Sequence, residues 1–352
     1  MNDSPSVKIH GDRRHCGRIA LLSLLWLAAG GGILWAFGAL HFDFPFWKSF
    51  IAFMFLTAVI MAVFRTRGVW KKLAAAALAF VLVLVWWLTQ QPRNDRAWQP
   101  DVAQLPFAEI QGDEVTLHNI RNCDYRTESD YTPRWETRTV RLSQLTGVDL
   151  FINYWGSPYM AHPIASFQFA DALPVCFSIE TRKEEGESYS AIGGIYRQYE
   201  LTYIVADERD VIRLRTNYRT GEESFLYRTT ATPEKARERF LEYVATINEL
   251  RDQPRWYNAV TTNCTTAIRS QHPTSERMPW DWRMLVNGKG DEMLYDRNQI
   301  LTAGLPFAEL RERARVNAAA KAAVHAPDFS RLIREGRPGF GIPASAVKDD
   351  LH

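Results

Sequence analysis

The chain has 352 residues, which corresponds to about two domains at the usual size of about 150 residues each. Its residues are 46% hydrophobic and 23% charged, with four cysteines and a net charge of +2. These averages exclude a collagen-like chain, a disulfide-dense miniprotein and a disordered tail, and the low net charge gives no support to nucleic-acid binding.

Three apolar segments near the N-terminus predict membrane-spanning helices. The first covers residues 19–40 without a charge, and its 22 residues would form a helix of about 33 Å. The second covers 44–64, and the third covers 73–89 and contains a Trp86–Trp87 pair typical of a membrane interface. A buried soluble helix would account for one such segment but poorly for three in succession. The first is also too long for a cleaved signal peptide.

Basic residues predict the orientation of these spans. Four of them precede the first span and four lie near the loop between the second and third spans. Only Lys48, in the extended start of the second span, lies on the side of the connection between the first two. By the positive-inside rule, the chain after Gln90 lies outside the cytoplasm. Residues 1–96 hold 11 Lys+Arg and 4 Asp+Glu, whereas the remainder holds 31 and 36, so a basic anchor of residues 1–90 precedes a mildly acidic outer part.

The outer part begins with a predicted linker at 91–106, which is polar and contains prolines. Short strand-like segments follow, with hairpins predicted at 164–180 and 201–216. The predicted strands are 115–120, 137–142, 150–155, 164–169, 175–180, 201–206, 211–216 and 225–229.

Helices are predicted after the strands. Thr232 is a suitable N-cap, Pro233 suits the first turn, and apolar residues recur at helical spacing as far as Leu250. A short helix is predicted from near Asn263, with others at 307–323 and 329–334. Strands followed by helices indicate an α+β domain, with an antiparallel sheet and packed helices, over residues 107–345.

The sequence contains no CxxC, HExxH, P-loop or GxSxG motif, so we expect neither a metal nor a cofactor. Cys264 has the most informative setting for chemistry. With Thr262 or Asn263 as N-cap, Cys264 falls in the first turn of a helix, where the partial positive charge favours a thiolate nucleophile. The alternatives are a small buried residue or one half of a disulfide.

A thiolate nucleophile requires a base. His162 precedes Pro163 at the entrance of a predicted strand, although a lone histidine is more often structural. His272 is the weaker candidate because eight helical residues would place it about 12 Å from Cys264. Cys123 and Cys176 are a candidate disulfide pair, but the sequence does not settle the connectivity.

Several segments resemble the Lnb N-terminal periplasmic domain family over roughly residues 105–340. They include VTLHNIRNCDYR, YWGSPYMAHPIASFQF and YNAVTTNCTTAIR. The resemblance implies a papain-like fold of the permuted NlpC type and a Cys–His thiol acyl enzyme, with His162 and Cys264 at the positions of the family's His and Cys. His162 would accept the thiol proton, and the Cys264 thiolate would attack a carbonyl to form an acyl-enzyme.

Further roles follow from this mechanism. Glu180 is expected to orient His162, and Asn263 to cap the helix or line an oxyanion site together with backbone N–H groups near Cys264. The charged segment 206–215 is expected to be a solvated strand edge. The alternative is that Arg213 or Arg215 meets an anionic head group.

The resemblance implies a multi-pass protein of the bacterial inner (cytoplasmic) membrane with its C-terminal domain in the periplasm. The expected activity is that of an acyltransferase or amidase. Its expected partners are the lipid bilayer and a lipoprotein, phospholipid or cell-wall peptide substrate, without nucleic acid. The alternatives are a cell-wall peptidase and a non-catalytic envelope binding module.

Overall fold

The computed structural model describes residues 10–44, 47–259, 261, 281–284 and 287–341. The chain divides into two compact units. Unit 1 contains the N-terminal residues as far as Gln91 together with the later segment Ile192–Gln198. Unit 2 contains Pro92–Ala191 and the chain from Tyr199 onward.

Unit 1 has a long apolar helix at each of the three predicted membrane-spanning segments. Within the described residues, three helices are long and apolar enough to cross a membrane. They are α1 (His10–Asp43), α2 (Lys48–Arg65) and α3 (Val69–Thr89). Small residues such as Ala36, Ala39 and Ala52 are fully buried between the helices, whereas many leucine and phenylalanine side chains point outward. This arrangement suits helices surrounded by lipid, where small residues allow close packing.

Unit 2 is built on a mixed sheet, which together with its packed helices confirms the α+β class. Among the described residues, eight strands form this sheet in the order β1-β2-β9-β8-β7-β6-β10, with β5 paired to β2. Neighbouring strands are antiparallel except β2 and β9. The strands, including a separate small β3–β4 ribbon, are β1 (Phe107–Gln111), β2 (Glu114–Arg121), β3 (Asp124–Tyr125), β4 (Tyr131–Thr132), β5 (Trp135–Arg141), β6 (Leu145–Trp155), β7 (Ala161–Phe169), β8 (Val175–Arg182), β9 (Glu200–Ala206) and β10 (Glu222–Arg228).

One face of the sheet is covered by α5 (Pro233–Asp252), as the sequence predicts. Thr232 caps this helix by accepting a hydrogen bond from the backbone N–H of Lys235. The buried Phe240 ring packs edge-on against Phe167 and Phe177, with ring centroids 5.2 and 5.9 Å away. Edge-to-face aromatic packing of this kind adds to the stabilisation from burial alone.

The opposite face of the sheet is covered by α4 (Glu208–Arg213), a π-helical turn (Leu214–Tyr218) and C-terminal helices. The strand predicted at 211–216 is therefore wrong. Asp207 caps α4 by accepting from the backbone N–H of Arg209 at 2.9 Å. The β-branched residues that suggested a strand, Val211 and Ile212, are instead buried on this helix.

The segment 206–215 is also not a solvated edge. Glu208 and Asp210 are fully buried, and each has a buried or nearly buried arginine as its partner. Arg334 donates to Glu208 at 2.8 Å, and Arg121 donates to Asp210 at 2.7 Å. The acidic side chains of this segment therefore form ion pairs in the interior of unit 2.

The C-terminal helices are α6 (Gly290–Asp296), α7 (Phe307–Ala314), α8 (Asn317–Ala322) and α9 (Phe329–Leu332). The predicted single helix at 307–323 is interrupted because Arg315 is extended and forms a bridge to Phe225 on β10. The next residue, Val316, donates its N–H to the Ser224 carbonyl at 2.9 Å. The short helix predicted from near Asn263 lies outside the described residues. The other predicted strands and helices are confirmed, with small shifts at their ends.

Candidate functional site

Unit 2 contains a cleft of about 690 Å³ beside the ends of β7 and β8. This volume lies within the usual range for small-molecule sites. Its described lining combines large apolar side chains with charged groups. The aromatic and apolar members include Trp155, Tyr159, Met160, Tyr189 and Tyr257. The titratable members include His162, Glu180, Arg215 and Glu222.

His162 lies at the start of β7, and its backbone is held firmly. The side chain of Asn153 on β6 donates to the His162 carbonyl at 3.0 Å, and Ser224 on β10 donates to Asn153 at 2.7 Å. Pro163 has no N–H to donate to a neighbouring strand, and the pairing of β7 with β8 ends at Ile164. The β7–β8 pairing therefore stops before His162, whereas β6 still pairs with β7 at this residue, and the imidazole lines the cleft.

Glu180 and Ser178 meet His162 across the two strands. Ile164 pairs with Ser178, so the same register places His162 opposite Glu180. Because side chains alternate along a strand, all three point to one face of the sheet. His162 Nε2 lies 2.7 Å from Ser178 Oγ and 3.1 Å from Glu180 Oε1, and Ser178 donates to that same carboxylate oxygen at 2.7 Å.

These contacts assign the proton positions on His162. Ser178 donates its hydroxyl proton to Glu180, so its oxygen accepts from His162. Nε2 of His162 then carries the proton that faces Ser178 and Glu180. In the neutral ring, Nδ1 is consequently the basic nitrogen.

A chain of alternating charges continues from Glu180 through the π-helical turn. Arg215 donates to Glu180 Oε1 at 2.9 Å and to Glu222 Oε2 at 3.2 Å. Arg219 donates to Glu222 at 3.1 Å and lies 3.2 Å from Glu128. The Arg215 side chain is only 5% exposed, whereas Glu128 at the other end is 56% exposed. The chain of charges thus runs from the sheet to the surface.

The charges fix the ionisation of Glu180. Burial alone would raise the pKa of Glu180, but the charge and hydrogen bond of His162, the charge of Arg215 and the hydrogen bond from Ser178 outweigh it. Together they hold the pKa of this carboxyl well below its usual range. Glu180 is therefore an anion at neutral pH.

The structure brings together two of the four predicted site residues, His162 and Glu180. The other two, Cys264 and Asn263, lie outside the described residues. Arg215, expected at an anionic head group, is paired with two carboxylates, and Arg213 donates to the Val324 carbonyl at 3.4 Å.

Sequence reasoning missed Ser178 and Arg215 as members of the site. Strand alternation could have found Ser178, since it lies two residues before Glu180 in a predicted strand. Arg215 had no comparable local signal. The π-helical turn that carries it, a kind of turn often found at functional sites, was predicted as a strand.

Cys123 and Cys176 carry free thiols, so they do not form the candidate disulfide. Both are fully buried, in different apolar clusters. Burial raises the pKa of Cys123 to about 11 and raises that of Cys176 well above its ordinary value. Buried thiols of this kind are unreactive. Among the described residues, no group of three or more His, Cys, Asp or Glu is placed to hold a metal ion.

Comparisons with known proteins place this site within a family match. Residues 131–288 match the family model described as the Lnb N-terminal periplasmic domain. This range contains His162, Ser178, Glu180 and Arg215. No curated protein and no solved structure matches the chain. The match and the three apolar helices together support a membrane-anchored protein with a periplasmic domain.

Proposed function

We propose that the cleft at His162 is the active site of a cysteine-dependent acyl-transfer enzyme, with Cys264 as its nucleophile. The observation that carries this proposal is the contact of His162 Nε2 with Glu180 Oε1 at 3.1 Å in the wall of the cleft. A histidine oriented by a carboxylate is the arrangement that general-base activation of a nucleophile requires. The papain-like fold type belongs to the same proposal.

Chain connectivity supports Cys264 as the nucleophile. Tyr257 and Ala259 line the cleft, and Cys264 follows Ala259 by five residues. Five residues span at most about 18 Å, so the chain between Ala259 and Cys264 is short. Of the chain's other cysteines, Cys123 and Cys176 are buried away from solvent.

The proposed reaction has two steps. Nδ1 of His162 accepts the proton of Cys264, a bond forms between the thiolate sulfur and the carbonyl carbon, and the leaving group departs with the proton that His162 returns. In the second step an amine, a hydroxyl or water attacks the thioester carbonyl and regenerates the thiol. Glu180 stabilises the imidazolium between these transfers, and Asn263 and nearby N–H groups would serve the oxyanion.

The substrate that we propose is lipid-linked or otherwise part of the cell envelope. Three apolar helices tether the chain to the bilayer, so a substrate in the same membrane is concentrated near the enzyme. The aromatic residues of the cleft, such as Tyr159 and Tyr189, suit an apolar chain or a sugar face better than a highly charged ligand. Arg215 and Arg219 are paired with carboxylates, so neither is a ready partner for an anion.

A thiol-reactive probe tests the nucleophile. In the full-length protein at neutral pH, Cys264 should react much faster than an ordinary thiol, while Cys123 and Cys176 serve as internal controls and stay unlabelled. His162→Ala should slow the labelling of Cys264. Ordinary reactivity at Cys264, together with a fully active Cys264→Ser protein in cells, would contradict the proposal.

A second variant pair tests Glu180. Glu180→Gln removes the charge that stabilises the imidazolium and should slow labelling of Cys264, whereas Glu185→Gln alters an exposed residue near the end of the same strand and should have no effect. Equal labelling rates in the two variants would remove Glu180 from the mechanism.

Intact-mass measurement separates the related activities. An acyl group trapped on Cys264 after incubation with phospholipid or lipoprotein supports an acyltransferase or amidase on lipid-linked substrates. Cleavage of cell-wall peptides without such an adduct indicates the peptidase. Substrate binding that is unchanged in Cys264→Ala, without turnover by the wild-type protein, indicates the binding module.

A periplasmic reporter fused after Gln90 tests the membrane orientation. A reporter that is active only in the cytoplasm would reverse the predicted orientation.

A further inference from the structure

The segment Ile192–Gln198 lies between β8 and β9 in sequence but packs with the apolar helices of unit 1. The Tyr196 ring stacks on Phe42 near the end of α1, with ring centroids 5.3 Å apart. Its hydroxyl fills the space beside Gly38, where an added Cβ would come within 2.0 Å of that oxygen. Because glycine has no side chain, Gly38 leaves a space for the Tyr196 hydroxyl that any larger residue would fill.

Arg197 binds the same segment to the C-terminal ends of α1 and α3. Its backbone N–H donates to Asp43 at the end of α1 at 3.1 Å. Its guanidinium lies 3.9 Å from the centre of the Trp87 ring and donates to the carbonyls of Trp87 and Gln90 at 2.7 and 2.8 Å. The Arg197 guanidinium thus supplies hydrogen bonds to carbonyls at the C-terminus of α3, where the helix dipole favours a cation.

The positive-inside rule predicts that these helix ends lie at the outward side of the membrane. Basic residues flank the opposite ends of the same helices, including Arg18 before the first span and Lys71 and Lys72 at the start of α3. By the positive-inside rule, those ends are cytoplasmic, so Asp43 and Thr89 lie at the outward interface. Tyr196 and Arg197, which contact this end of the helices, lie at that interface with them.

Two large apolar side chains of the segment are exposed at the surface. Ile192 is 62% exposed and Ile195 is 48% exposed. Ile192 precedes the 3₁₀ turn Gly193–Ile195 and Ile195 ends it, and a spacing of three residues places both on one face of the turn. An exposed isoleucine pair beside a tyrosine and an arginine has the composition of a membrane-interface element.

We propose that Ile192–Gln198 is a second membrane attachment, which inserts Ile192 and Ile195 into the lipid leaflet on the outward side. The occupant of this apolar face is phospholipid of the same membrane, because the segment is continuous with the surface of the spanning helices. Tyr196 and Arg197 hold the turn at the helix ends, and the two isoleucines reach the boundary between head groups and acyl chains. This role is independent of any catalytic activity.

Depth-dependent quenching tests the insertion in the full-length protein reconstituted into phospholipid vesicles. In a background with Cys16→Ser and Cys264→Ser, an environment-sensitive fluorophore is attached at Ile192→Cys or Ile195→Cys. Leu173→Cys, which replaces an exposed leucine in the β7–β8 turn, is the matched control. A lipid spin label near the head group should quench the first two at least about twofold more than the control, as expected for insertion about 5–10 Å deep.

A glycine pair on α1 tests the attachment. Gly38→Ala should displace Tyr196 and reduce quenching at Ile195→Cys, whereas Gly31→Ala should not, since its Cβ meets nothing within 4 Å. Labels at 192 and 195 that emit as from water, as at 173, would overturn the proposal. Labels that are shielded from water but are not quenched by spin-labelled lipid would also overturn the proposal, because protein and not lipid would then cover the two isoleucine positions. Unchanged quenching in Gly38→Ala would refute the role of the contact between Tyr196 and Gly38.

Discussion

Replacement of Arg215 by methionine removes the cation that lies between two carboxylates beside the candidate base. Arg215 bridges Glu180 at 2.9 Å and Glu222 at 3.2 Å, and its own side chain is 5% exposed. Methionine has a similar length and no charge, so the substitution keeps much of the packing volume. What it changes is the electrostatic environment of the two glutamates.

The loss of stability follows from the burial of these charges. Removal of one partner from a buried ion pair costs about 3–5 kcal/mol, because the remaining charge is left uncompensated. Glu180 is one quarter exposed and Glu222 keeps Arg219, so we expect the lower value, about 3 kcal/mol. For a unit of this size, that corresponds to a melting temperature lower by about 6–12 °C.

The pH dependence has a definite sign. The folded-state pKa of Glu180 is lowered, so its stabilising contribution is present above its ordinary value of 4.5 and is lost as the pH falls below it. Without Arg215 the pKa of Glu180 rises towards that ordinary value. The difference in stability between wild type and Arg215→Met should therefore be largest at neutral pH and should shrink below about pH 4.

Thermal unfolding of the full-length protein in detergent, measured across this pH range, provides the assay. Arg219→Met is the matched control, because Arg219 contacts Glu222 and the exposed Glu128 and is itself 29% exposed. It should cost about 1 kcal/mol or less. An equal loss in the two variants, or a loss for Arg215→Met that does not change with pH, would refute the reasoning.

Three further predictions concern other parts of unit 2. Phe240→Ala should lower the free energy of unfolding by about 3–5 kcal/mol because it empties a fully buried aromatic site, and a loss below about 1 kcal/mol in denaturant unfolding would contradict the packing. Thr232→Ala should cost about 1 kcal/mol through the lost cap to Lys235, whereas Thr232→Ser should retain it. Burial raises the pKa of Glu200 to about 7 against the partial effect of Arg96, so wild-type stability should fall by up to about 3 kcal/mol between pH 4.5 and 7. Glu200→Gln should flatten that slope, and an unchanged slope would exclude Glu200 as its source.

The candidate site was predictable from the sequence only in part. His162 and Glu180 lie at symmetrical distances from the turn of a predicted hairpin, so local alternation and one turn are enough to bring them together. Arg215 reaches the same site from a turn 35 residues after Glu180. Its position depends on α4, whose charged residues are stabilised by partners as distant in sequence as Arg334.

The sequence by itself determined the three long apolar helices, most strands and the capped helix α5. Each of these features depends on the periodicity or charge of a short segment, which local residues specify. Only the tertiary structure decided that 208–218 is helical, that Arg215 bridges Glu180 and Glu222, and that Tyr196 seats against Gly38. These outcomes depend on contacts between residues far apart in the chain, where burial and pairing outweigh local preference.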